Sequence, residues 1–310
     1  VPSFAGSLIT GPFQIELNGV LMDAVDEGAS IVITKWLQGL GIPSTMRNAN
    51  KALPQRDGEF ASPQYLGSRP VQWSVACRGD NSAGVVSALQ QVGRALSPVP
   101  DDTVGLTVPL VFTLADASQR WLLNGKPERA ATSMDNFLRT YLTPEPFTDE
   151  IQCEFVASDP NIYDFVLQSQ TTGLGVSSGG LGFPFGFPFG FGTSVPGQIL
   201  TNNLGNRRSY PTIYLFAGSS GLSGITVTNQ LTGESWSTSL VMNANDSLAV
   251  DMAARTVVLN GNQNRAATVN RPPSSWFGID PVTAGATLLT FVGSGPGSTM
   301  TVSYRSAWAF

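Results

Sequence analysis

Apolar residues recur at every second position over much of this chain, and that spacing restricts those segments to half-buried β-strands. Phe13, Ile15 and Leu17 begin the pattern, and Ile31 with Ile33 continue it. Val71, Trp73, Val75 and Cys77 form a further run, Leu106, Val108, Leu110, Phe112 and Leu114 another, and Ile151, Cys153 and Phe155 a third. One segment departs from it. Val85, Val86, Leu89, Val92 and Leu96 fall at helical spacing, with Asn81 or Ser82 available as a cap and Pro98 and Pro100 as a stop. The spacing predicts one amphipathic helix over 82–96, packed on the first sheet. Met134, Phe137, Leu138 and Tyr141 also fit a helix, but Pro144 and Pro146 close a short run and leave its state open.

A chain of 310 residues exceeds what a single core usually serves, which makes two domains the expectation. The expected division is 1–170, a connector at 171–200, and 201–310. The last part shows short strands separated by turn chemistry: Thr232-Gly233, Asn245-Asp246, and Asn260-Gly261 after Val257 and Leu259. It ends on Met300, Val302, Tyr304, Ser306, Trp308 and Phe310, which read as one face of a final strand. The fold class is therefore mainly β, with a helix on the first domain and a jelly-roll or galectin-like β-sandwich as the second.

Two segments resist that scheme. Residues 39–65 hold Arg47, Lys51, Arg56, Asp57 and Glu59 among Gly, Pro and Asn with no periodicity, and so long a loop in a compact domain reads as a projecting arm. Residues 182–191 repeat Gly-Phe-Pro-Phe, placing Phe183, Phe185, Phe187, Phe189 and Phe191 in a proline-punctuated ribbon. Removing each ring from water is worth about 1.5–3 kcal/mol. The segment is expected to lie against its own domain or a neighbouring copy.

Charge is scarce, at 13% of residues, against about 25% in an ordinary soluble chain. Residues 1–170 carry 18 acids and 11 bases, and the remainder 4 acids and 6 bases. A surface built of Ser, Thr, Asn, Gln and Gly suits burial between copies. No basic cluster exceeds Arg207-Arg208, so nucleic acid is not held by phosphate neutralisation. Cys77 and Cys153 sit at core positions of alternating runs and read as buried thiols. With neither a leader nor an apolar run of about 18 residues, the expectation is no membrane insertion and no export, and Val1 is expected to follow a removed initiator Met.

The chain contains no histidine, which removes His-dependent triads, His-ligated metals and His general bases together. Gly175-Val-Ser-Ser-Gly179 matches a nucleophile-elbow pattern but lies in a Gly/Ser-rich stretch without the strand-turn-helix context or a His partner. Glycine runs at 179–186 and 293–297 lack the Lys-Ser/Thr of a phosphate loop. Asp57/Glu59, Asp101/Asp102 and Asp149/Glu150 are the near-neighbour acid pairs, and exposed turns explain them better than glycoside chemistry. No catalytic, cofactor or metal residue is expected. Trp236 and Trp276 are candidates for stacking on a sugar or a partner, with core packing as the competing explanation.

The order of these parts resembles the distal tail proteins of siphophages over nearly the whole chain. The residues that carry the resemblance are Arg69-Pro-Val-Gln-Trp73 before the helix, the Leu123-Asn-Gly-Lys-Pro-Glu128 hairpin, Phe155-Val-Ala-Ser-Asp-Pro160, and the Gly-Phe-Pro-Phe connector. Asn203-Leu-Gly-Asn206 with Tyr210-Pro211, and Asp246-Ser-Leu-Ala-Val-Asp251 with Val257-Val-Leu-Asn-Gly261, complete the set. The resemblance implies an N-terminal split β-barrel, a belt-like arm and a galectin-like sandwich in a homohexameric ring around a DNA channel. The implied partners are the tail tube protein, the tape measure protein, the tip hub or tail-associated protein, and peripheral receptor-binding or adhesin proteins. DNA would pass without specific binding. Arg47, Lys51, Arg56 and the five phenylalanines are the expected interface residues. A non-catalytic carbohydrate-binding tip module is the alternative.

Overall fold

The computed structural model describes residues 5–25, 28–41, 46–48, 50–52, 57, 59–98, 107–131, 150–178, 193–270 and 275–309. Residues 52, 129–131, 176–178 and 193–195 are described by backbone alone. The chain divides into two compact units, Val1–Phe165 with Trp308–Phe310, and Val166–Ala307.

In the first unit a sheet closes on itself. Its strands run in the order Ile151–Ala157, Arg69–Cys77, Ile31–Gln38, Val20–Asp23, Gln14–Leu17, Val108–Thr113 and Arg120–Ala131, and the last pairs again with the first. The seam between Val20–Asp23 and Ile31–Gln38 is a single parallel pair, Asp23 with Val32. All other neighbours around the barrel are antiparallel. The alternating residues fill its interior: Ile15, Leu17, Ile31, Ile33, Val71, Trp73, Val75, Phe112 and Phe155 share one buried cluster.

The expected helix is present as Ser82–Ala95. Asn81 caps it by accepting from the Gly84 N–H at 2.9 Å, and Asn18 donates to the Ala95 carbonyl at 2.8 Å at the other end. Val85, Ala88, Val92 and Ala95 turn into the barrel cluster, whereas Val86 faces solvent.

Leu123–Glu128 is not a hairpin. Arg120–Ala131 is one strand that pairs with Val108–Thr113 up to Gly125 opposite Val108, then with Ile151–Ala157 from Gly125 opposite Ala157. At that crossing a Cβ on residue 125 would stand 2.3 Å from the Val156 carbonyl oxygen, so the glycine permits a close backbone approach instead of a turn. The two-residue turn lies at Asn18-Gly19, where φ values of 50° and 71° join Leu17 to Val20.

The second unit stacks a six-stranded sheet on a four-stranded one. The first is ordered Gln168–Gly173, Thr299–Tyr304, Thr212–Phe216, Ser247–Asp251, Thr256–Leu259 and Gln263–Asn264. The second is ordered Gly197–Thr201, Thr287–Ser294, Ser223–Asn229 and Ser235–Thr238. Ile213, Leu215, Leu248, Val250, Met300 and Val302 of one meet Ile199, Ile225, Val227, Trp236, Leu289 and Phe291 of the other in a single core. This is the expected sandwich.

The expected connector at 171–200 is partly strand. Gln168–Gly173 and Gly197–Thr201 belong to the two sheets, and Val176–Ser178 pairs with Thr193–Val195. Phe183, Phe185, Phe187, Phe189 and Phe191 lie outside the described residues, as do the run at 134–141 and Phe310. The strand that carries Met300, Val302 and Tyr304 stops at Tyr304, and Ala307–Trp308 is a separate two-residue strand. Trp308 belongs to the first unit, where it meets the Trp121 ring edge-on with centroids 5.6 Å apart.

Candidate interaction surfaces

Residues 39–65, read from sequence as irregular, form a stepped ribbon in their described parts. Met46–Arg47 pairs with Tyr65–Leu66, and further out Lys51–Ala52 pairs with Glu59–Phe60. Asn50 ties the steps by donating to Glu59 at 2.7 Å and accepting from the Ser62 N–H at 2.8 Å. Met46 (59% exposed), Phe60 (63%) and Tyr65 (63%) leave three large apolar side chains in solvent on a strip too thin to bury them itself. Arg47 and Lys51 are exposed on the same ribbon, and Arg56 lies outside the described residues.

The ribbon's neck is closed by Arg69, which is fully buried. Its Nη1 donates to the carbonyls of Gly39 at 3.0 Å and Leu40 at 2.5 Å, and its Nε to Pro160 at 2.7 Å. Burial lowers the pKa of this guanidinium from its ordinary value. Gly39 sits at φ 93°, and a Cβ there would be 2.3 Å from the Pro70 carbonyl oxygen, so outgoing and returning strands touch at their roots. The role of Arg69 could have been suspected from its place before an alternating run, but its carbonyl partners lie 29 and 91 residues away and leave no local signal.

Nothing in the described residues assembles catalytic chemistry. No group of three His, Cys, Asp or Glu residues is placed there to hold a metal. Ser177 lies within the strand Val176–Ser178 and not on a strand-to-helix turn. Cys77 and Cys153 are buried free thiols, and burial, followed by the neighbouring Cys77, pushes Cys153 up to about 12. Such a thiol is no nucleophile at neutral pH. Of the acid pairs, Glu150 is bound to Lys35 at 2.9 Å, a contact that lowers its pKa, while Asp101, Asp102 and Asp149 lie outside the described residues. An open groove of about 240 Å³ crosses strands Ile31–Gln38, Arg69–Cys77 and Ile151–Ala157, lined by Lys35, Gln38, Gln72, Ser74, Gln152 and Glu154. Its polar lining suits a solvated surface better than a small apolar ligand.

In the second unit Trp236 is fully buried in the sandwich core, which corrects its assignment as a stacking residue. The ring supplies the bulk where two sheets meet, and no face of it is left for a ligand. Trp276 is half-buried against the same core. Arg208 makes a two-point contact with Asp280, at 2.7 and 3.1 Å, and this raises its pKa. Asn203 is fully buried and uses its whole amide: it donates to the carbonyls of Arg207 and Ile279 and accepts from the N–H groups of Gly205 and Ala307. Both motifs thus hold backbone together.

Two exposed aromatics of this unit are on the outer face of the six-stranded sheet, where Tyr214 (50% exposed) and Phe216 (44%) alternate with buried Ile213 and Leu215, and a third, Tyr210 (43%), precedes that strand. Sequence reading missed them because the tryptophans drew attention and because a strand with an aromatic outer face alternates like any other.

A barrel unit bearing a ribbon, together with a two-sheet sandwich, defines a mainly β protein of two units. Residues 204–308 match the family profile described as "Siphovirus-type tail component, C-terminal domain". Among solved structures, the chain is similar to the SPP1 Dit (gp 19.1) protein, reported as a paradigm of the hub adsorption apparatus in phages infecting Gram-positive bacteria. The identity is 15%, over 94% of this chain and 98% of that one, with a TM-score of 0.59. It is also similar to a chain of the phage P2 baseplate in its activated conformation with calcium, at 7% identity over 94% and 97% of the chains and a TM-score of 0.50. No curated protein sequence matches it. Residues 204–308 thus match the C-terminal domain of siphovirus-type tail components, and over nearly its whole length the chain has the fold of the SPP1 Dit protein.

Proposed function

We propose that six copies form a ring that joins the tail tube to the tip or baseplate, with the barrel units around a channel and the sandwich units carrying peripheral receptor-binding or adhesin components. The observation that carries this reading is the ribbon at 46–66. Its exposed Met46, Phe60 and Tyr65 need a covering surface, and an adjacent copy supplies an identical one at every step of a closed ring. The five phenylalanines at 183–191 are proposed to brace the assembled copies. Arg47, Lys51 and Arg56 would meet acids on the neighbour. The acidic first 170 residues, repeated around the ring, would present a negative bore along which DNA slides without sticking. The role is structural, without catalysis. Sizing by light scattering and negative-stain imaging of the purified protein tests it. A ring with an open centre that is lost when residues 45–60 are deleted, while circular dichroism is unchanged, is the expected result. A monomer at all concentrations, and no ring on a tail-tube template, would defeat it.

A further inference from the structure

We propose that the outer face of the six-stranded sheet binds a neutral glycan chain, whose pyranose rings stack on Tyr214 and Phe216. The two residues are two apart on the central strand Thr212–Phe216, so their rings project from the same face about 7 Å from each other. That separation accommodates successive sugar rings of an extended chain. Both rings are about half exposed, and the Tyr214 hydroxyl makes no hydrogen bond among the described residues.

The surroundings of the rings select the ligand. Register places Thr301 and Ala249 on either side of Tyr214, and Thr299 and Ser247 on either side of Phe216. The rings therefore stand among hydroxyls, each able both to donate and to accept. Further along the same face the hydroxyls of Thr171 and Thr301 meet at 2.8 Å, and each retains capacity for a further bond.

Charge matching decides between occupants. Within the paired strands of this face Asp251 is the one ionic side chain, and its Oδ1 already accepts from the N–H groups of Ala253 and Ala254, both at 2.8 Å. Among the described residues of these strands an anionic polymer finds no cation, and a cationic one finds a single carboxylate with one oxygen already engaged. The centres of protein interfaces are rich in aromatics, Met and Arg and poor in Ser, and this face supplies the aromatics in a field of Ser and Thr without Arg or Met. A neutral polymer with apolar C–H faces and many hydroxyls fits both components, because C–H groups lie well on the negative face of an aromatic ring. This inference does not rest on the ring assembly.

The test uses the full chain, titrated with maltohexaose, cellohexaose, laminarihexaose and a β-galactan as neutral probes, and with polygalacturonate and poly(glycerol phosphate) as anionic ones. Calorimetry and chemical-shift mapping are the readouts. Saturable binding of at least one neutral probe is expected, with shifts centred on Tyr214 and Phe216. Tyr214→Ala and Phe216→Ala should each weaken it about tenfold, and Tyr214→Trp should retain it. Raising salt to about 0.5 M should leave affinity within about twofold, since no ion pair is involved. Failure of all four neutral probes, binding confined to the anionic probes, or shifts mapping elsewhere would each overturn the proposal. The shift map on unmodified protein decides the matter even if a variant fails to fold.

Discussion

Arg69, on the strand that returns from the ribbon, donates to the carbonyl of Gly39 on the strand that leaves for it, at 3.0 Å in a fully buried position. With Leu40 and Pro160 it forms a three-carbonyl clamp, and no carboxylate of the described residues shares the bond set. A buried guanidinium without an acid partner is costly, so its retention at the neck implies that the direction of the ribbon depends on it.

Replacing Arg69 by Met keeps most of the volume but strips three carbonyls of a donor. A buried acceptor left unsatisfied costs about 1–3 kcal/mol, and a net loss of about 3 kcal/mol is expected in urea unfolding. Lys at this position reaches fewer acceptors and should recover only part of it. Amide exchange across residues 39–41 and 66–70 should accelerate in the Met variant. Wild-type stability and exchange would show the clamp to be incidental.

Gly125 and Gly93 make a paired test of backbone crowding. A Cβ at 125 meets the Val156 carbonyl oxygen at 2.3 Å and the Ala157 Cα at 2.7 Å, whereas one at 93 meets nothing within 4 Å. Gly125→Ala should cost at least about 2 kcal/mol through displaced backbone at the point where the barrel closes. Gly93→Ala lies on an exposed helical position and should stabilise by about 1 kcal/mol. Thermal unfolding of the two variants should therefore shift in opposite directions, and a shared direction would contradict the geometry.

The alternating runs identified the barrel wall and the sandwich because one face of each strand is buried, and burial imposes period two on the sequence. The helix was equally legible, since Val85, Val92 and the Asn81 cap all act locally. Closure was not. The hydrogen bonds that turn a sheet into a barrel join Arg120–Ala131 to Ile151–Ala157, and Asn124-Gly125, which imitates a hairpin, is where one strand changes partner. The arm at 39–65 was recognised, but its strand pairing was not, because it has no buried face to impose a period on it. Trp236 stayed undecided between stacking and core packing for a related reason: residue type shows that a ring is large and amphipathic, but only the stacking of two sheets shows on which side of the surface it lies.

The Cys153 thiol supplies a pH signature. Its folded pKa, pushed up to about 12 by burial and by Cys77, exceeds the 9.0 of an unfolded thiol. The folded state therefore holds the proton more tightly, the associated stability is complete below pH 9, and it is lost progressively as pH rises toward 12. Cys153→Ala should flatten the decline of unfolding free energy in that window relative to wild type. Native protein should also resist alkylation by iodoacetamide at pH 8 and react only after denaturation. Rapid native labelling of residue 153 would show the site to be open to solvent.

Phe60 and Tyr65 offer the most direct separation of assembly from folding. Both are 63% exposed and stand on ribbon steps with only two residues per strand, so they contribute little to the stability of a single copy. Replacing both by Ser should leave the unfolding midpoint of the monomer within about 0.5 kcal/mol of wild type, as for surface positions generally. If the ribbon is covered by a neighbour, each copy in the assembly loses two apolar anchors worth about 1.5–3 kcal/mol apiece, and the loss recurs at every interface of a closed ring. Sedimentation velocity should then show the oligomer dissociating at concentrations where wild type remains assembled. The arginine-lysine pair provides the control: Arg47→Ser with Lys51→Ser should weaken assembly in a salt-dependent manner, whereas the aromatic double variant should be insensitive to salt. An aromatic variant that assembles as wild type does would mean that Phe60 and Tyr65 remain solvent-facing in the ring, and the covering surface would have to be sought elsewhere on the chain.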